Sequence, residues 1–336
     1  MHNFMFIFIN KINSIFRLPK MFIVILISLI NILFIYDNNL LNAKILDETF
    51  FEVDTLEQVS LEKSALDKNK LEKSGNINFF DVIIKKAKKE NWHFLTNQDR
   101  IILIAKNFVG TKYIAGSLEN PKGESQDLCI VEFGGLDCFT FVELVINLNK
   151  NISLKKYTYN ELTNSIFESR YKSNSKKDSL LYTDRLHYTS EWLFENTKRN
   201  LFIDVSKLLG GEKIKFNIGF MSQNPKYYPV LVNNPNLIEE IVKSEKKVNN
   251  SEFYYIQKSK VAKIENKIQN GDIILIATNK KGLDYSHLGF AYIDEKGVTR
   301  LMHASSNKKE VIIDNRLSEY LEKNNSSIGI TVLRIK

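Results

Sequence analysis

The sequence predicts an α+β fold, helices first and an antiparallel sheet last, on three observations. Residues 97–109 and 138–148 carry apolar side chains at helical spacing. The segments 272–278, 286–293, 298–304, 310–314 and 328–335 change to strand period, and several are joined by connections too short for crossover helices. With 336 residues, 43% of them hydrophobic, the chain can bury one sizeable core or two modest ones.

The chain opens on a targeting segment. Residues 21–36, MFIVILISLINILFIY, form an uncharged apolar block behind Lys11, Arg17 and Lys20 and ahead of Asp37. That charge asymmetry keeps the N-terminus in the cytoplasm and sends the rest outward. A second apolar patch, FMFIFI, lies upstream, and Leu41 and Ala43 fit a cleavage site only loosely. Residues 1–43 are therefore expected to be a removed signal peptide or a retained inner-membrane anchor. Residues 44–77, rich in Lys, Glu, Asp, Asn and Ser, form a polar tether, and the folded domain is expected over 78–336. The formal charge of +8 is spread widely, so composition gives little support to binding of nucleic acid or another anionic partner.

Within the body, Thr96 and Asp99 have the spacing of a capping box for a first helix, which should stop at Gly110. A punctuated loop then leads to a short expected strand, CIVEF at 129–133, and a Gly134–Gly135 turn. Asp137 is a natural N-cap for the next helix, whose apolar run is broken only by Thr140, Glu143 and Asn147, the pattern of a helix buried on most sides. From 151 to 262 the pattern is irregular and mostly helical, with YNELTNSIFESRY, DRLHYTSEWLFENTKR and PNLIEEIVKSEKKV as its clearest segments.

Cys138 falls at the first position of the 138–148 helix, where unsatisfied N–H groups favour a thiolate. Asp137 beside it works the other way, so a neighbouring imidazolium is needed to secure that charge. Strand alternation puts His287 on a face with Gly289 and Ala291, small residues that would let a helix approach closely. His303 lies on the following strand, and adjacent antiparallel strands can bring the two imidazoles within hydrogen-bond reach, one as base and one fixing its tautomer. The competing readings of Cys138 are a buried structural cysteine and a disulfide to Cys129. A zinc site of Cys138, His287 and His303 is a lesser reading, since neither HExxH nor paired CxxC occurs. Neither a metal nor another cofactor is expected.

The runs FVGTKYIAG, LDCFTFVE, NGD at 270–272, GLDYSHLGFAY and LMHASS together resemble the N-acetylmuramoyl-L-alanine amidase-like family, a group of papain-type cell-wall hydrolases related to the NlpC peptidases. The resemblance spans roughly residues 97–336. It implies a papain-like core with a large helical insertion at 151–262, and a site of Cys138 as nucleophile, His287 as base and His303 as orienting member. It also implies help for the oxyanion from Tyr113, and an insertion that walls the cleft, with Arg185 meeting a peptide carboxylate and His187, Tyr188 or Trp192 lining it. The expected function is cleavage of a peptidoglycan amide through a cysteine thioester, first the muramoyl–alanine bond, alternatively a D-glutamyl bond of the stem peptide. Acyl transfer and a non-catalytic wall-binding protein of the same fold remain open at this point. The expected location is the periplasm or cell envelope.

Overall fold

The short links between strand-patterned segments do pair them into one sheet. The computed structural model describes residues 75–336, so the apolar block and nearly all of the tether lie outside the described residues. No described helix is long and apolar enough to cross a membrane.

Helix α1 covers 75–89 and α2 covers Asn97–Lys106. Thr96 caps α2 by accepting the Asp99 N–H at 3.2 Å, and the helix ends before Gly110, which takes a positive φ of 85° in the turn that follows. Strand β1 (Lys112–Tyr113) pairs in parallel with β2 (Gly135–Leu136). No strand forms at 129–133, contrary to the sequence reading. Side chains take the place of a ladder there. Asn76 and the Tyr159 hydroxyl donate to the Val131 carbonyl, Asn76 Oδ1 accepts the Phe133 N–H, and Arg170 donates to the Ile130 carbonyl.

Helix α3 (Cys138–Ser153) starts in a complete capping box: Asp137 accepts the Thr140 N–H at 2.8 Å and the Thr140 hydroxyl accepts the Asp137 N–H at 2.9 Å. Residues 140–149 are all buried, so each polar break in the run needs a partner. Glu143 meets Arg170 of α4 (Tyr159–Arg170), whose Nε lies 3.0 and 3.1 Å from the two carboxylate oxygens. Asn147 donates to the Ser169 hydroxyl of the same helix at 2.9 Å.

The stretch 151–262 is not a purely helical insertion. Helices α4, α5 (Thr189–Lys198), α6 (Ile238–Asn249) and α7 (Lys258–Ile264) alternate with strands β3 (Phe202–Asp204), β4 (Glu212–Ile214) and β5 (Phe253–Gln257). These strands join the main sheet, which continues through β6 (Ile273–Thr278), β7 (Tyr285–Ile293), β8 (Thr299–Ser305), β9 (Glu310–Arg316), helix α8 (Leu317–Glu322) and β10 (Ser327–Ile335). The sheet order is β2-β1-β9-β8-β7-β6-β10-β5-β4, with β3 also on β10. Apart from β1–β2 every pairing is antiparallel.

The central sheet is buried on both faces. Leu288, Phe290, Met302 and Ala304 face α3, with Phe290 edge-on to Phe141 at 5.6 Å between centroids. Ala291 and Leu301 face the other way, against Leu317 and Leu321 of α8. The NGD turn is structural: Asp272 enters β6 and holds Arg334 of β10 with two bonds of 2.8 and 2.7 Å.

Because Glu143 and Arg170 are both nearly inaccessible, removing the acid leaves a guanidinium without its counter-charge. Glu143→Ala is expected to cost roughly 3–5 kcal/mol. A urea titration should show a lower midpoint with unchanged slope; a shift equivalent to less than about 1 kcal/mol would mean that the pair does not secure α3 to α4.

Candidate active site

The site forms where β7 and β8 part. Their pairing runs from Ile293–Thr299 to Phe290–Met302 and stops there, so Gly289, Leu288 and His287 lie beyond the ladder. Gly289 marks the opening. A Cβ on it would sit 2.6 Å from the Met302 carbonyl oxygen and 2.9 Å from His303 Cβ. The glycine therefore makes room for the histidine strand, whereas the sequence reading had a helix approach that face closely. Helix α3 in fact packs on the opposite face, and the element lying over the histidines is α8.

His287 and His303 point to the same side of the sheet. His287 Nε2 lies 2.5 Å from His303 Nδ1, the rings nearly perpendicular with centroids 4.7 Å apart. The imidazoles thus turn these nitrogens toward each other instead of toward a shared metal position. On its far side His303 Nε2 meets Asp314 Oδ2 of β9 at 3.3 Å. The Tyr320 ring of α8 covers both imidazoles, with centroids 6.2 Å from His287 and 5.2 Å from His303.

Cys138 opens α3, the helix packed on the Leu288 face of β7. The backbone N–H groups of Leu288, Cys138 and Phe139 favour the thiolate, but less than burial and Asp137 oppose it. Leu288 adjoins His287, and burial followed by the charges of Asp314 and Cys138 pushes the Tyr320 hydroxyl up to about 12, which puts the thiol in the neighbourhood of the ring that covers the imidazoles. Tyr113 neighbours the thiol too: its partner Leu136 on β2 lies two residues before the cysteine, and burial followed by the charges of Cys138 and Asp137 pushes its hydroxyl up to about 12. Both cysteines are free thiols, Cys129 directed at the Thr163 carbonyl at 3.9 Å, so the two do not form a disulfide.

The resting electrostatics differ from the expected thiolate and imidazolium. Burial first, then Asp137, pushes the Cys138 thiol up to about 12 despite the helix-start N–H groups. Burial first, then His303, pushes His287 down to about 3, and burial lowers His303 as well, against the opposing pull of Asp314. The site at rest is a neutral thiol beside neutral imidazoles.

With this geometry in view, comparison with known proteins is informative. Residues 103–330 match the family described as AmiA-like, N-acetylmuramoyl-L-alanine amidase-like. The chain belongs to that family. It is similar to a crystal structure of an N-acetylmuramoyl-L-alanine amidase from Bacteroides uniformis ATCC 8492, at 28% identity and a TM-score of 0.66, over 71% of this chain and 99% of that one. It is also similar to a Bacteroides fragilis structure described provisionally as a xylanase, at 32% identity and a TM-score of 0.62, over 69% of this chain and 99% of that one. A Legionella pneumophila structure shares the fold at 23% identity and a TM-score of 0.60, over 80% of this chain and 96% of that one. None of the curated proteins compared matches the chain.

In this amidase-like chain, of the four residues expected to meet substrate, Arg185, Tyr188 and Trp192 are buried and His187 is half-buried. Arg185 is buried, donating to the Leu118 carbonyl at 2.6 Å and pairing with Glu119 at 3.0 Å and Asp127 at 3.4 Å. It is therefore not free for a peptide carboxylate; it ties down the loop that precedes β2. His187 stacks on Tyr182 and its Nε2 lies 2.8 Å from the Tyr182 carbonyl. The Tyr188 hydroxyl donates to Glu245 at 2.8 Å and accepts the Met221 N–H at 2.9 Å. Trp192 is fully buried, edge-on to Phe139 at 5.6 Å, so it backs the residue next to the cysteine. Asp314 and Tyr320 were missed. Asp314 shares the His303 face by strand register, a relation the alternation of EVIID contains, whereas no local pattern marks Tyr320.

Two outcomes follow from this site. In a Cys129→Ala chain, alkylation of Cys138 by iodoacetamide should rise about tenfold per pH unit from neutrality upward, because the thiol stays protonated; a flat rate across neutral pH would indicate a resting ion pair. Gly289→Ala should lower stability by about 1–3 kcal/mol, since the methyl meets backbone and the base of the His303 side chain. Wild-type thermal stability in that variant would show that β8 yields to a methyl at this position.

Proposed function

We propose that the protein is a cysteine-dependent peptidoglycan amidase with a papain-type core, most directly an N-acetylmuramoyl-L-alanine amidase. The observation that carries this reading is the hydrogen-bonded His287–His303 pair, together with a thiol at the start of α3, the helix packed against the strand that bears His287. The family and the Bacteroides uniformis relative support the muramoyl–alanine bond as the one cut.

The chemistry starts from the neutral state. His287 has one nitrogen engaged by His303, so Nδ1 is the atom available to take the thiol proton as Cys138 attacks the amide carbon. The tetrahedral oxyanion would be held by N–H groups at the start of α3 and by the Tyr113 hydroxyl. His287 then returns the proton to the departing amine, leaving a thioester, and next draws a proton from water as the hydroxyl attacks. Products are the freed lactyl carboxylate and an alanine-headed peptide, with thiol and imidazole restored. No cofactor enters any step.

A glycosidase reading, suggested by the Bacteroides fragilis relative, fits less well. It requires two carboxyl groups flanking the bond, whereas Asp137 is spent on the helix cap and Asp314 on His303. A peptidoglycan substrate also accords with export by the apolar block at 21–36 and with work in the cell envelope, whether that block is removed or retained as an anchor.

The test is digestion of purified peptidoglycan followed by mass analysis. Alanine-headed stem peptides are expected from the wild type, and at least about a 10³-fold drop in rate from Cys138→Ala and from His287→Ala. Cuts inside the stem would move the assignment to a D-glutamyl endopeptidase. Undiminished lysis by Cys138→Ala would end the cysteine mechanism.

A further inference from the structure

We propose that Asp314 is a positioning residue that sets the protonated nitrogen of both imidazoles, so that His287 presents a lone pair to the thiol. The inference rests on the cysteine-hydrolase reading above and deepens it.

A carboxylate oxygen can only accept, so the contact between His303 Nε2 and Asp314 Oδ2 makes Nε2 the donor. A neutral ring carries one N–H, which leaves His303 Nδ1 as an acceptor. His287 Nε2, 2.5 Å away, must therefore donate to it. The remaining His287 nitrogen, Nδ1, is left with its lone pair, the state a general base requires. Every link of this chain is fixed by the one before it, and Asp314 is the only member whose role is set by charge.

Three features keep the chain in place. Asp314 shares a sheet face with His303 through the β8–β9 pairing of Met302 with Ile313 and His303 with Ile312. His303 is almost completely buried, so water does not compete freely for Nε2. Tyr320 packs edge-on to His303 and roughly parallel to His287, which limits rotation of either ring. The Asp314 carboxylate also lies on the side away from the thiol, where it favours the positive charge that His287 gains when it takes the proton, passed through one intervening ring.

Asp314→Leu removes the acceptor and supplies none, whereas an asparagine could still accept through Oδ1. His303 Nε2 then carries the lone pair; His303 Nδ1 becomes the donor, His287 Nε2 the acceptor, and His287 Nδ1 is protonated and useless as a base. Two-dimensional 15N spectra of histidine-labelled protein distinguish these states. Wild type should show both His287 and His303 as Nε2–H forms, and Asp314→Leu should show a shift toward Nδ1–H at both. The same variant should lose about 10- to 100-fold in kcat with KM within about twofold, and Asp314→Glu should recover much of the loss.

Unchanged ring states in Asp314→Leu would overturn the proposal, whatever happens to the rate. So would altered ring states with kcat within twofold of wild type. The spectra read the imidazoles directly, so they keep their meaning if Cys138→Ala remains active and the cysteine-hydrolase reading falls.

Discussion

The arrangement of the site depends on the point at which β7 and β8 stop pairing. Gly289 stands just past that limit with β8 close against it, so any side chain there would collide with the Met302 carbonyl and the base of His303. Leu288 faces α3, the helix that Cys138 opens, while His287 beside it turns to His303 and Tyr320. The capping box of Asp137 and Thr140 supplies the other half of the placement by fixing where α3 begins.

Burial then decides the charge state. A helix start favours an anion by about 0.3–1 kcal/mol, less than the 1.36 kcal/mol of a single pKa unit, so it cannot offset removal of the thiol from water. The Asp137 carboxylate, needed for the cap, adds to the opposition. The same desolvation keeps both histidines neutral, and neutrality is what lets them hydrogen-bond to one another as donor and acceptor. In the proposed cysteine mechanism, charge is therefore generated as the thiol attacks and is not stored beforehand.

Legibility in the sequence followed element length and the range of the determining contacts. The long strands at the C-terminus were readable to within a residue or so because period shows over seven or more positions, and the start of α3 because the partner of the Asp137 cap is three residues away, whereas α3 runs on to Ser153, past the 148 at which the apolar run ends. Strands β3 and β4, three residues each, have no period to read, and their partners are remote: β3 is defined by β10. The false strand at 129–133 has the right residue types, but Asn76, Tyr159 and Arg170 claim its backbone. Cys138, His287 and His303 could be picked out because chemistry restricts the residue types for that role. Arg185 and Tyr188 looked available only because their partners, Glu119, Asp127 and Glu245, come from distant segments.

Those same remote partners change how the middle of the chain relates to catalysis. A true insertion could be lengthened or exchanged with the core left intact, but here β3 and β5 share the outer edge of β10, the strand that carries β6 on its other edge. Asp284, immediately before the strand bearing His287, accepts the Ser190 N–H at 2.6 Å in the first turn of α5 and the Tyr285 N–H at 2.7 Å. One carboxylate thereby ties the start of β7 to the helix whose Trp192 backs Phe139 beside the cysteine. The middle segment is thereby part of the frame of the sheet, fastened at one end to the strand that bears His287 and at the other to the residue beside Cys138, while Arg185 ties the loop before β2 to it.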